Sequence, residues 1–262
     1  MLLCIDIGNT NITLGAFKNH ELVFVSRLAT ESDKTDDQCA VELNNIFRLY
    51  GVSPSNFDGA IICSVVPELN RSAFSAVKKL CGIEPMRLSA GVKTGVNILT
   101  DNPAEVGADL VAGAAAAAAE YALPCLVIDL GTATKVSVID ENGAFLGCAI
   151  APGVNISLEA LSARTSQLPR ISFKAPSGVI GKNTVDSMQS GIIFGTAAMI
   201  DGMCDKIETE LCREVKTVIA TGGLAGDIAG FCRRDIIVNR ELILEGLRLI
   251  YARNNAQKSS AK

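Results

Sequence analysis

The order of apolar and polar positions reads as two similar successions of short strands and helices. Residues 2–17, LLCIDIGNTNITLGAF, begin with an apolar run, turn through Asp6-Ile7-Gly8-Asn9-Thr10 and leave through the alternating Ile12-Thr13-Leu14-Gly15-Ala16-Phe17. That predicts a strand, a tight polar turn and a second strand. Residues 22–28 alternate well enough to pair with the second strand, with His20 in the connecting turn. Helical spacing of Val41, Leu43, Ile46, Phe47 and Tyr50, closed by Gly51, predicts a helix over 36–50. A buried strand follows at 60–66, closed by Pro67, then a helix at 71–81 and a strand at 85–88. After a loop, Asn102 as cap, Pro103 in the first turn and Glu105 three residues beyond the cap predict a helix start. The alanine-rich run to Ala119 continues that helix, and its small side chains suit close packing.

The pattern then recurs. Residues 125–140, CLVIDLGTATKVSVID, repeat the apolar strand, the Asp-x-Gly turn and the alternating strand, with Asp129 and Gly131 standing where Asp6 and Gly8 stood. The interval between the copies is domain-sized, which predicts an α/β fold of two duplicated lobes, residues 1–115 and 116–262. A strand at 143–153, a helix at 154–161 and a polar connector over 162–176 follow. The next helix, 185–211, is interrupted by Gly191, Gly195 and Gly202, which suggests close approach of another backbone. A strand over 216–220 runs into Thr221-Gly222-Gly223, Asn239 caps a last helix over 240–253, and the tail 254–262 is expected to fray.

Composition narrows the class. With 48% hydrophobic and 20% charged residues, the chain is globular and not disordered. A net charge of −4 argues against a general nucleic-acid binder, which needs a basic face. The longest uncharged small-residue run falls well short of the roughly 20 residues of a membrane span. Nine cysteines, an odd number with no Cys-x-x-Cys, lie mostly in apolar runs and behave as small buried hydrophobes, which together with the missing secretory signal suggests a reducing cytoplasm. The single histidine, His20, is expected in an exposed turn, which argues against a histidine triad or zinc site and leaves a carboxylate as any general base.

The candidate chemistry lies in the turns. Gly8 permits backbone angles closed to other residues, so that turn is able to bring its amides to a ligand. A carboxylate, a glycine, an amide and a hydroxyl within five residues suit a phosphate tail, with Asp6 toward a hydrated Mg²⁺. A purely structural hairpin with a polar turn has the same look, but it gives no reason for the aspartate and glycine to recur. Two such turns in two similar halves suit one nucleotide held between them. Asp109, at the head of the alanine-rich helix, is a candidate carboxylate there, although favourable interaction with the helix dipole explains it equally. The Thr221-Gly222-Gly223 turn suits an adenosine lying flat, and such turns also occur without a ligand.

Taken in order, Asp6-Ile7-Gly8-Asn9-Thr10, Ser64-Val65-Val66-Pro67, Gly107-Ala108-Asp109, Asp129-Leu130-Gly131-Thr132-Ala133-Thr134, Ala149-Ile150-Ala151-Pro152-Gly153 and Thr221-Gly222-Gly223 resemble the type III pantothenate kinases over essentially the whole chain. The resemblance implies the actin-like, ribonuclease H-like fold of the acetate and sugar kinase, heat-shock ATPase and actin superfamily, with two lobes around an ATP cleft. It implies phosphorylation of pantothenate to 4'-phosphopantothenate, the first step of coenzyme A biosynthesis, with Mg²⁺ and a monovalent cation (K⁺ or NH4⁺), in a cytoplasmic homodimer. Carried over by position, Asp6, Ile7, Gly8, Asn9, Thr10, Asn11, Ile12 and Thr13 would hold the ATP phosphates, with Asp6 also near the metal. Asp109 would be the general base, and Gly107, Ala108, Leu110 and Thr184 would line the pantothenate site. Asp129 would bind the monovalent cation, Thr132 would contact ATP, and Thr221, Gly222 and Gly223 would lie beside the adenosine.

Three residues depart from the family pattern. Leu110 stands where the family has an arginine, Gly113 where it usually has asparagine, and Lys135 where it continues with threonine. Loss of the arginine removes a charged hydrogen bond of about 1.5–3 kcal/mol, which the resemblance implies would be made to the pantothenate carboxylate. Lys135 would bring a cation near the phosphates or near the bound K⁺. Two readings follow: a kinase in which Lys135 partly replaces the missing positive charge, or a diverged paralogue that is non-catalytic or takes another acceptor.

Overall fold

Both predicted hairpins form, and each belongs to a five-stranded sheet of the same topology. The computed structural model describes residues 1–260. In the first sheet, β1 (Leu2–Ile7), β2 (Asn11–Lys18), β3 (Glu21–Ala29), β4 (Gly59–Ser64) and β5 (Met86–Arg87) lie in the order β3-β2-β1-β4-β5. In the second, β6 (Cys125–Leu130), β7 (Ala133–Ile139), β8 (Phe145–Pro152), β9 (Thr217–Thr221) and β10 (Ile237–Val238) lie in the order β10-β9-β6-β7-β8. Each sheet has a central strand antiparallel to the strand after it and parallel to a later one. The duplication read from two turns therefore extends to whole sheets.

In the first sheet both faces are covered, and the period of two sorts the residues between them. Leu3, Ile5 and Ile7 join the core formed with α1 (Asp36–Leu49) and α2 (Pro67–Cys81), where Leu43, Phe47, Leu69 and Val77 are buried. Cys4, Ile61 and Cys63 join the opposite core, formed with α3 (Ala108–Glu120) and α7 (Leu242–Ser260) through Ala112, Ala115, Leu244, Leu247 and Ile250. Asp6, two residues from Cys4, is directed to this second face. The two helices on it approach closely, since a Cβ on Gly246 would fall 1.8 Å from the Ala112 carbonyl oxygen. The alanine-rich composition of α3 is what permits this.

In the second sheet, Leu126, Ile128, Leu130 and Val136 pack with α4 (Val154–Arg164), α5 (Thr184–Leu211) and α6 (Ala225–Ala229). Asp129 and Lys135 alternate away from that core.

The chain groups into two compact units, one of Met1–Val96, Asn102–Ala116 and the segment from Leu242, the other of Asn97–Asp101 and Ala117–Glu241. The division between the units crosses α3 after Ala116, and the C-terminal helix groups with the first unit. The cause is its apolar face, which completes the core beneath Cys4 and Cys63.

Several local expectations change. Helix α2 starts at Pro67, not at 71, because proline at the first helical position gives up an amide that has no helical partner anyway. The segment expected to start a helix at Asn102 makes only a short 3-10 turn, Pro103–Glu105; Val106 is extended and α3 begins at Ala108. Asn102 makes no cap and bonds instead to the Glu105 carboxylate at 2.7 Å. Gly191, Gly195 and Gly202 do not mark close packing within the described residues: a Cβ at any of them would meet nothing within 4 Å. The last helix continues to Ser260, through most of the tail expected to fray, and residues 261–262 lie outside the described residues. No helix among the described residues is long and apolar enough to cross a membrane.

Candidate functional site

In the first unit the β1–β2 turn projects Asn9, Thr10 and Asn11 into solvent. Its shape is fixed from within: the Gly8 amide donates to the Asn11 carbonyl at 3.0 Å, and the Thr30 hydroxyl donates to the Gly8 carbonyl at 2.6 Å. The Thr30 amide also donates to the Thr10 carbonyl. Gly8 therefore directs its own amide into the turn, and it is not among the glycines at positive φ. What limits this position is space, since a Cβ would fall 3.1 Å from the Asn11 oxygen. Thr30 was not legible as a site residue; it lies at the end of β3 and acts on the turn through the backbone.

At the inner end of the turn, Asp6 is aligned with Thr13 on the antiparallel side and with Cys63 on the parallel side. The Cys63 thiol, fully buried, donates to Asp6 Oδ1 at 3.0 Å. Burial first, then the charge and hydrogen bond of Asp6, then the charge of Asp109, push that thiol well above its ordinary range. The helix α3 covers the sheet face to which Asp6 is directed, and Asp109 stands in its first turn.

Asp109 is held in place by its neighbours. Its Oδ1 accepts from the Leu110 amide at 2.9 Å, and a Cβ on Gly107 would fall 2.5 Å from the same oxygen. Glycine at 107 therefore keeps room for the carboxylate in this orientation. Gly107, Ala108, Asp109 and Leu110 are all half-buried, so the group is accessible without being fully hydrated.

The second unit builds a comparable turn around Asp129. Register places Asp129 opposite Lys135 on the antiparallel side and Thr221 on the parallel side, matching the positions of Thr13 and Cys63. Lys135 Nζ lies 2.9 Å from Asp129 Oδ2, and the two side chains retain only 17% and 13% exposure. Glycine at 131 and 222 keeps room beside the other carboxylate oxygen: Cβ atoms there would fall 3.2 and 2.8 Å from Oδ1. Gly222 also has φ +94, so glycine is required there twice over. Thr221 is buried, a Cβ at Gly222 would also fall 2.7 Å from the Leu130 carbonyl carbon, and Gly153, at the cap of α4, sits where a Cβ would fall 2.1 Å from the Thr132 carbonyl oxygen. Thr132 itself is exposed, and Thr134 Oγ1 is buried with no hydrogen-bond partner among protein groups.

The structure therefore brings Asp6 and Cys63 together in the first unit, with Asp109 in the first turn of the helix on the same sheet face, and Asp129, Gly131, Lys135 and Gly222 together in the second. Thr184 is exposed at the first position of α5, where Asn183 caps the helix by accepting from the Asp186 amide at 2.9 Å. No group of three or more metal-ligating side chains occurs among the described residues.

The family model for type III pantothenate kinase matches residues 2–206. The chain belongs to the type III pantothenate kinase family. A type III pantothenate kinase from Myxococcus xanthus is 42% identical over 256 residues, covering 98% of this chain and the whole of that protein. One from Halalkalibacterium halodurans is 44% identical over 254 residues, covering 97% of this chain and again the whole relative. Among solved structures, the activator of 2-hydroxyisocaproyl-CoA dehydratase from Clostridium difficile, with bound ADPNP, superposes with a TM-score of 0.62 at 14% identity, covering 99% of this chain and 97% of that one. That likeness concerns the fold alone. The chain carries an Asp-x-Gly turn in each of its two sheets.

Proposed function

We propose that the chain transfers the γ-phosphoryl group of ATP to the primary hydroxyl of pantothenate, giving 4'-phosphopantothenate. The observation that carries this reading is the match to the family along nearly the whole chain, with Asp6 at the root of the first turn and Asp109 in the first turn of α3, the helix on the sheet face to which Asp6 is directed. Phosphoryl transfer asks mainly for positioning and charge neutralisation, which carboxylates, amides and hydroxyls supply without histidine.

In this reading the turn from Asp6 to Thr13 holds the ATP phosphates, and Thr30 keeps it in shape. Mg²⁺ normally takes one or two carboxylates plus phosphate oxygens and water, so Asp6 at the root of the turn suits it. Bound there, the ion would neutralise the charge developing on the transferred group. Asp109 accepts the hydroxyl proton of pantothenate, held toward the substrate by the Leu110 amide and by the absence of a side chain at Gly107. Ala108, Leu110 and Thr184 contact pantothenate, while Thr132, Thr221, Gly222 and Gly223 belong to the nucleotide site. The monovalent cation implied at Asp129 does not suit the residues present, because the Lys135 ammonium already pairs with this carboxylate. We further take the protein to act in the cytoplasm as a homodimer, on the strength of the family alone.

Coupled ADP release with pantothenate, ATP and Mg²⁺ tests the function. ADP should form only when pantothenate is added. Absence of turnover at saturating pantothenate, with ATP still raising the melting temperature, would instead make the chain a non-catalytic nucleotide binder.

A further inference from the structure

We propose that Lys135 is a tethered monovalent cation, so that turnover by this chain needs neither K⁺ nor NH4⁺ in solution. The inference rests on the kinase reading and concerns the second turn, where the expected ion would sit.

Three observations carry it. Asp129 and Lys135 are directly opposed on neighbouring strands, which puts both side chains on one face within reach of each other. The ammonium lies 2.9 Å from Oδ2, in a pair whose side chains are only 17% and 13% exposed. The single negative charge of the carboxylate is therefore already matched at close range by Lys135. A lysine head group is an alkyl ammonium with three donors and one positive charge, the chemistry of NH4⁺ on a four-carbon stem. With it in place the pair is neutral, and a second monovalent ion gains little by binding there.

The first unit shows that a cation at this register is not a requirement of the hairpin. Asp6 faces the uncharged Thr13 across the same strand pair. A lysine at the matching position of the second unit thus alters the charge of one turn and leaves the fold of both intact. Lys135 is accordingly a positioning residue: it compensates Asp129 and fixes the carboxylate against the Gly222 turn.

The test uses the full chain with the Tris salt of ATP, saturating Mg²⁺ and pantothenate, and tetramethylammonium chloride holding ionic strength constant. KCl or NH4Cl then replaces the tetramethylammonium salt. The parent rate should change by less than about twofold, whereas Lys135→Thr and Lys135→Met should fall about tenfold without K⁺ and recover when KCl or NH4Cl is added. Thermal melting provides a second readout: KCl should raise the midpoint of either variant and leave that of the parent unchanged. A parent that K⁺ activates about tenfold, or variants whose loss no monovalent cation restores, overturns the proposal. If the parent shows no pantothenate-dependent turnover in any salt, the kinase reading fails and melting decides: a K⁺-selective rise confined to the variants upholds the tethered cation, and equal responses reject it.

Discussion

The two Asp-x-Gly turns are copies in topology and differ in the residue that faces each aspartate across its hairpin. Each aspartate stands next to last in the central strand of its sheet, with one neighbour across an antiparallel pair and one across a parallel pair. Around Asp6 those neighbours are Thr13 and Cys63, both uncharged, and the cysteine donates a weak hydrogen bond. Around Asp129 they are Thr221 and Lys135, and the lysine forms a largely buried ion pair. Neither strand neighbour cancels the charge of Asp6, whereas that of Asp129 is balanced within its own hairpin. Duplication supplies two equivalent positions, and one cross-strand residue is enough to give them different work.

The largest expected effect belongs to the first turn's neighbourhood. Asp109→Asn should lower the turnover rate by about 10²–10⁴-fold, the usual range for a lost general base, while the ATP-induced rise in melting temperature persists. Full activity in that variant would remove Asp109 from the base role. The contrast between the turns is tested next by stability. Lys135→Met leaves Asp129 without its cross-strand cation and should cost about 3 kcal/mol in K⁺-free urea unfolding. Thr13→Ala at the matching position should cost less than about 1 kcal/mol. Equal losses would erase the distinction drawn here.

A smaller effect is expected at Leu110. Leu110→Arg should lower the Michaelis constant for pantothenate about tenfold if a cation beside Asp109 helps to hold the substrate carboxylate. An unchanged constant would mean that another group already supplies that contact. Gly195→Ala should stabilise the chain by about 0.5–1 kcal/mol, because this exposed helical glycine meets open space and alanine has the higher helix propensity. Destabilisation would reveal a contact on this face of α5.

The smallest effect separates the two units by pH. In the second unit the Arg234 guanidinium, bonded to Glu208 through both terminal nitrogens, holds that carboxyl below its ordinary value of 4.5. A depressed folded value means the contribution is complete above the unfolded value and is lost as pH falls through the folded one, so it fades only in acid. In the first unit burial disfavours the Lys34 ammonium, but the hydrogen bond and charge of Glu42 outweigh this and raise it above 10.5. That contribution is complete below the unfolded value and is lost as pH rises through the folded one. Tyrosine and amide-exchange signals followed from pH 3 to 11 should show the second unit loosening first in acid and the first unit in alkali.

Much of this architecture was legible in the pattern of side chains. Alternation across the two turns gave both hairpins, and recurrence of Asp and Gly gave the duplication that the sheets then displayed. The role of Lys135 was only half legible: the sequence placed a cation near the second turn, and register chose Asp129 as its partner. Contacts between residues far apart in sequence left no such trace. Nothing near Cys63 pointed to Asp6, and nothing near Gly246 pointed to the Ala112 carbonyl. The glycines of α5 misled for the opposite reason, since a glycine records permission for close packing whether or not a neighbour uses it.

The sequence by itself determined the local geometry: apolar alternation made the strands, the Asp-x-Gly segments made the turns, and the alanine run made a helix narrow enough to dock. Those are short-range preferences, set by sterics and burial within a few residues. Only the tertiary structure decided what each aspartate faces. A carboxylate's chemistry depends on charges a few ångströms away in space, and parallel pairing and helix docking bring those charges from distant parts of the chain. For Asp6 parallel pairing delivered Cys63; for Asp129 the hairpin register delivered Lys135.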